Sequence, residues 1–320
     1  MKQDASLDAY LSAFGEPPRR RHRRLKSLAL VPTLITLGNL LCGFAAIHFA
    51  MRAMIDFGAG IPVDRVATMH NSIMERLLPS FLSVGASFVF LGMIFDCFDG
   101  LIARATRSTT NFGGQLDSLA DVVTCGVAPA ILMIAFMTTQ LASSAIVPSP
   151  LSPNVLGRAT WGAAAIYVAF AAIRLARYNV EHASDEFDHR MFRGLPSPGA
   201  AAIVATMILF QDQLGAYGKY GVLIALPFIA FAAALLMVSR VPYKRFYRAY
   251  LMGKQPVGRF LIVVLMLGVF LVFPVQTLVV AVLWYGISGP VFLLVRNMRG
   301  RSSNAAAGKP LEKPEVRSAV

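Results

Sequence analysis

The chain has 320 residues, 56% of them hydrophobic and 15% charged, with a mean hydropathy of +0.59, a balance that excludes a water-soluble domain with a polar surface. The net charge of +13 does not point to nucleic acid, because the basic residues stand at the ends of apolar runs rather than along a polar face, a placement that suits anionic lipid headgroups. Cys42, Cys97 and Cys125 fall inside apolar stretches without paired metal spacing, so they read as small packed residues and no disulfide scaffold is expected.

Residues 1–27 form a basic segment carrying Arg19-Arg20-Arg21-His22-Arg23-Arg24. The apolar run behind it is too long for a signal peptide and lacks a small-residue cleavage site, so a retained anchor is expected, with the charge run solvated against anionic lipid. Eight apolar runs long enough to cross about 30 Å of hydrocarbon follow. They lie near 28–50, 80–104, 115–138, 157–178, 197–215, 220–239, 259–275 and 277–296. The fifth is interrupted by Gln211 and Asp212, and the last two divide at Phe273-Pro274. The predicted class is therefore all-α, a polytopic bundle of about eight spans. Residues 240–258 read as a basic loop, 259–298 as two additional helices and 299–320 as a disordered tail rich in Ser, Ala, Gly, Lys, Pro and Glu. With the N-terminus inside, 25 of the 30 Lys and Arg fall on the cytoplasmic side, all except Arg52, Arg65, Arg76, Arg158 and Lys219. That asymmetry predicts an even number of spans with both termini cytoplasmic.

The chemistry concentrates around the second and third spans. Asp96 and Asp99 are three residues apart, and Asp117 and Asp121 four apart, spacings that put each pair on one helix face. A short connection makes the two spans antiparallel neighbours, so four carboxylates converge at one depth. Such a cluster at the edge of a low-dielectric region needs a neutralising cation, and oxygen-only ligands select a hard one, Mg²⁺ or Mn²⁺, with room for two ions. Gly100, Gly113 and the small Ala103 leave backbone open to a bulky ligand, while Arg104 offers a forked cation to phosphate oxygens. Gly114 is more simply a close-packing glycine. Metal, arginine and open backbone together describe a pyrophosphate site.

The pattern Asp-x2-Asp-Gly-x2-Ala-Arg-x8-Gly-x3-Asp-x3-Asp is met at every fixed position by Asp96, Asp99, Gly100, Ala103, Arg104, Gly113, Asp117 and Asp121, and it resembles the signature of the CDP-alcohol phosphatidyltransferase family. The resemblance implies a six-helix catalytic core, here residues 28–239, a homodimer, and a dinuclear metal site facing the cytoplasm. It implies that Asp96, Asp99 and Asp117 hold metal, that Asp121 completes the four-aspartate metal site and acts as the general base, and that Asp96, Gly100, Ala103, Arg104 and Gly113 receive the CDP pyrophosphate. The stretches Val31–Gly43, Asp117–Pro129, Arg174–Val180 and Arg193–Pro198 are similar to the membrane-bound phosphatidylserine synthases of that family. That branch implies CDP-diacylglycerol and L-serine as substrates, phosphatidylserine and CMP as products, and residence in the inner membrane.

The residues lend separate support to a zwitterionic acceptor. Arg174 and Arg177, at the end of the fourth span, are candidates to hold a serine carboxylate or the lipid phosphate, with snorkelling as the plain alternative. Thr36 and Asn39, one turn apart in the first span, are candidates for contact with nucleotide or acceptor, hydrogen bonding between helices being the alternative. Ser197 reads as a helix-start residue. Two other functions stay open at this point: a sibling transferase acting on glycerol 3-phosphate, inositol phosphate or choline, and an ion-coupled transporter.

Overall fold

The computed structural model describes residues 30–60, 78–106, 111–141, 148–183, 191–244 and 257–306; the side chains of Ala103 and Arg104 lie outside the description. In chain order the elements are α1 (Leu30–Gly58), α2 (Phe81–Thr106), α3 (Asn111–Asp121), a π-helical turn (Val122–Val127), α4 (Ala128–Gln140), α5 (Val155–Ala183), β1 (Met191–Arg193), α6 (Ser197–Gln211), α7 (Ala216–Val238), β2 (Pro242–Lys244), α8 (Val257–Val272) and α9 (Pro274–Ala306). Helix is what a long apolar run must form in lipid, because only then does every backbone amide find a partner within its own segment. Six of the described stretches are long and apolar enough to cross a membrane, with α3, the π turn and α4 forming one continuous rod. The chain is a multi-pass membrane protein.

α1 shows how such a bundle sorts its residues. Ala46, Ala50 and Ala53, spaced by a helical turn, are fully buried, whereas Leu34, Leu41, Phe44 and Ile55 are exposed. Small residues inside and large apolar ones outside invert the soluble pattern. Where the surrounding solvent is itself apolar, close backbone approach is what holds helices together. Gly85 in α2 continues this logic, since a Cβ there would stand 2.9 Å from Leu132 and 3.1 Å from the Ala46 carbonyl. α6 lies at the centre, buried along most of its length and rich in Ala200, Ala201, Ala202 and Ala205.

Three features differ from expectation. α6 stops at Gln211 after 15 residues, about 22 Å, so the fifth predicted span is a short buried helix that ends where the polar pair Gln211-Asp212 begins. The fold also contains a two-stranded ribbon, β1 antiparallel to β2, pairing Phe192 with Tyr243. Gly194, at φ +86°, follows the ribbon and lies close enough to the Met237 and Ser239 carbonyls that a Cβ would collide with both. Its N–H donates to the Val241 carbonyl (2.9 Å) and that of Leu195 to the Leu236 carbonyl (2.9 Å), tying the start of α6 to the end of α7. Finally, α9 runs on to Ala306, past the point where the tail was expected to begin. α8 and α9 divide at Phe273-Pro274 as predicted, and α9 docks on α6 while α8 packs against α9. Cys42 and Cys125 are buried, but Cys97 is exposed and does not pack in the core.

Candidate active site

α2 carries Asp96 and Asp99 on one face, and α3 carries Asp117 and Asp121 on one face. One carboxylate oxygen from each of Asp96, Asp99 and Asp117 lies within 4.8 Å of the others. Asp121 follows one turn after Asp117, at the last position of α3, and is only 8% exposed. The pairs do not meet merely because their helices are neighbours, as the short connection suggested. α1 packs along α2 and against α3, the π turn and α4, and the acids gather over its surface.

That surface presents Thr36 and Asn39. Thr36 Oγ1 donates to Asp99 Oδ2 at 2.8 Å, and Asn39 Nδ2 donates to Asp121 Oδ1 at 3.0 Å. Both residues are buried, and each fixes one acid with a neutral donor. Glycines make this approach possible. A Cβ on Gly43 or on Gly92 would come within 2.5 Å of the Thr124 side chain, and one on Gly92 would also meet Asn39 Oδ1 at 2.9 Å. Thr124 belongs to the π turn, whose extra residue re-phases the rod just after Asp121. From there its hydroxyl donates to the Asn39 carbonyl at 2.9 Å. Asn39 is thus held by its backbone while its side chain holds Asp121.

The donor set fits a divalent cation. Asp117 Oδ1 is buried without a hydrogen-bond partner, an acceptor for which a cation is the natural complement. Asp96 and Asp117 face the same small site as Asp99, and a positive ion held there would relieve the mutual repulsion of their carboxylates. The ligands are all carboxylate oxygen, the preference of Mg²⁺ and Mn²⁺ rather than of zinc or copper.

Beyond the acids, Arg174 on α5 is half-buried and its Nη1 donates to Ser197 Oγ at 2.7 Å, while its Nε is buried with no partner. Its guanidinium lies within electrostatic reach of Asp121, which places a cation beside the acidic cluster. Arg177, three residues on, is half-buried and engaged in its own interactions. Ser197 is a helix-start residue as expected, yet it is fully buried and serves as the acceptor that fixes Arg174. Gly100 and Gly113 lie on the acid-bearing helices, half-buried. Gly114 faces open space, so it does not serve close packing. The side chains of Ala103 and Arg104, expected at the pyrophosphate, lie outside the described residues.

Sequence reasoning missed three contributors. Thr124 lies in the Asp117–Pro129 stretch with no role of its own assigned there, and Gly92 carries no motif. Asn179 on α5 exchanges hydrogen bonds with Ser118 (Nδ2 to Oγ, 2.9 Å), clamping α3 between its two aspartates. A Ser between paired acids and an Asn two residues after an Arg are weak signals alone, and only the packing of α3 on α5 joins them.

Comparison with known proteins agrees with this geometry. The family model for CDP-alcohol phosphatidyltransferase matches residues 29–239. A CDP-diacylglycerol–serine O-phosphatidyltransferase of Helicobacter pylori (strain J99) is 31% identical over 220 residues, covering 68% of this chain and 84% of the relative. One from Bacillus subtilis (strain 168) is 27% identical over 217 residues, 68% of this chain and 90% of that protein. One from Methanocaldococcus jannaschii is 30% identical over 189 residues, 58% and 75% respectively.

Proposed function

The chain belongs to the CDP-alcohol phosphatidyltransferase family, and we propose that within it the protein transfers the phosphatidyl group of CDP-diacylglycerol to the hydroxyl of L-serine, giving phosphatidylserine and CMP. The observation that supports this most is the convergence of Asp96, Asp99 and Asp117 within 4.8 Å, with Asp121 one turn further on the same face. Purified protein given CDP-diacylglycerol, Mn²⁺ or Mg²⁺ and a panel of labelled alcohols should release CMP with serine and little with glycerol 3-phosphate, inositol phosphate or choline. An acceptor phosphate calls for more cationic groups than Arg174 and Arg177 supply.

Asp96, Asp99 and Asp117 would hold Mg²⁺ or Mn²⁺, one ion or two, supplying Lewis-acid neutralisation of the pyrophosphate charge. Asp121 is the base. The bond from Asn39 Nδ2 occupies Oδ1 and leaves Oδ2 to accept the proton of the serine hydroxyl as its oxygen attacks the lipid-bearing phosphorus. The serine O–P bond forms, the P–O bond to CMP breaks, and CMP departs with the electron pair. Gly100 and Gly113, with Ala103 and Arg104, are assigned to the pyrophosphate. Arg174, oriented by Ser197, is assigned to an anionic group of acceptor or lipid.

Residues 28–239 are assigned as the catalytic core and 259–298 as an added pair of helices. The substrate's acyl chains stay in the bilayer, so the site belongs at an interface. The bias of Lys and Arg supports assigning that interface to the cytoplasmic side of the inner membrane. A homodimer is proposed from the family resemblance. An ion-coupled transporter would place its acids near the middle of the bundle, whereas here they sit near the end of α2 and the start of the α3–α4 rod.

A further inference from the structure

The family match ends at residue 239, yet α9 reaches back to the site end of the bundle. It packs along α6: Gly286 meets Ile203, and the Tyr285 ring lies over Gly199, where a Cβ would stand 3.0 Å from it. Gly199 is in the first turn of α6, two residues after Ser197, which holds Arg174. The ribbon locks the arrangement. Tyr243 of β2 is buried, donates its hydroxyl to the Gly286 carbonyl at 2.9 Å, and packs its ring 5.6 Å from that of Tyr285. Burial pushes the Tyr243 hydroxyl up to about 12, so it remains a protonated donor at any physiological pH.

Two groups are left over by this packing. Among the described residues the Tyr285 hydroxyl has no hydrogen-bond partner, although the phenol lies within electrostatic reach of the Arg174 guanidinium. Arg174 Nε is buried and equally unpartnered, and its Nη1 is spent on Ser197. A buried guanidinium donor without an acceptor is costly unless a ligand supplies one. Asp121, the acid nearest in effect to Arg174, is already bound by Asn39.

We propose that Tyr285 and Arg174 together form an oxyanion site at the acceptor end of the active centre, its phenol contributed by a helix outside the segment shared with the family. The ligand is a carboxylate or phosphate oxygen, from the acceptor's carboxylate or from the lipid nucleotide. This rests on the transferase reading above and deepens it, since it makes the added helices part of substrate selection.

The test is Tyr285→Phe in the full-length protein, which keeps the ring over Gly199 and beside Tyr243 and removes only the hydroxyl. Loss of one hydrogen bond to a charged group should raise one KM about tenfold with kcat and thermal midpoint little changed. If the rise is confined to serine, and the variant's deficit disappears when serinamide replaces serine, the anion is the acceptor carboxylate. If it is confined to CDP-diacylglycerol, the anion is its phosphate. Unchanged KM for both substrates, or an equal deficit with serine and serinamide at unchanged CDP-diacylglycerol KM, overturns the proposal. Failure of the transferase reading would look different, because the wild-type protein itself would then release no CMP with serine; the comparison of KM values is then made with whichever acceptor of the panel it does use.

Discussion

The two ends of this bundle each hold aspartate partly or wholly out of solvent, and they treat it in opposite ways. At the end remote from the site, Asp212 follows α6 and is satisfied by its neighbours: Ser80 donates to it at 2.8 Å, Gln211 donates through its amide, and Lys219 lies within electrostatic reach. At the site end four aspartates crowd together, their side-chain donors among the described residues are Thr36 and Asn39, and Asp117 keeps a buried oxygen without a partner. The first arrangement is a staple between α2 and α6. The second is incomplete as protein alone, and incompleteness of that kind marks a place where a ligand is expected. The lesson is that a buried acid becomes informative through what its neighbours fail to supply.

Substitutions at the two ends should therefore behave differently. The largest effect is expected for Asp99→Asn or Asp117→Asn, which should lower CMP release by about a thousandfold or more, given that metal neutralisation is worth several kcal/mol and each 1.36 kcal/mol is tenfold. Asp121→Asn should cost about 10²- to 10⁴-fold in turnover, the usual contribution of a general base, while CDP and Mn²⁺ binding persist. Near-normal turnover in that variant would take Asp121 out of the base role. Asn39→Ala, which frees Asp121 without removing it, should lower kcat about 10- to 100-fold and leave the KM for CDP-diacylglycerol nearly unchanged. Gly92→Ala pushes a methyl against Thr124 and Asn39 and should destabilise by about 1–3 kcal/mol, read as a lower thermal midpoint in detergent. The smallest effect belongs to the other end. Asp212→Asn retains an acceptor for Ser80 and should change stability by about 1 kcal/mol with turnover intact. Loss of turnover in the Asp212 variant would break the contrast between the two ends.

Much of the site was legible because its spacing is itself chemistry. Intervals of three and four place Asp96 with Asp99 and Asp117 with Asp121 whatever the rest of the fold does. The apolar runs were legible too, since length and charge alone decide what can cross a bilayer. What stayed hidden depends on helix packing. Nothing in Thr36 or Asn39 says which acid each will meet; that is settled by Gly43 and Gly92 letting α1 close on Thr124 and α2. The shortness of α6 was signalled by Gln211 and Asp212, but its central burial was not, because an alanine-rich run reads equally well as a lipid-facing span. The ribbon of residues 191–193 and 242–244 has too few residues for any periodic signal, and its register is fixed by Gly194 and the α6–α7 contact. Tyr285 was unreadable for the same reason: it lies 111 residues beyond Arg174 in sequence and reaches its neighbourhood only through the docking of α9 on α6.

The most direct test of the central claim is equilibrium Mn²⁺ binding to the purified protein, followed by the loss of the free-ion EPR signal, in wild type and in Asp117→Asn. Wild type should bind one or two ions saturably, in competition with Mg²⁺, and that binding should be lost or severely weakened when Asp117 is neutralised. Identical Mn²⁺ isotherms for the two proteins, or no saturable binding in wild type, would contradict the claim.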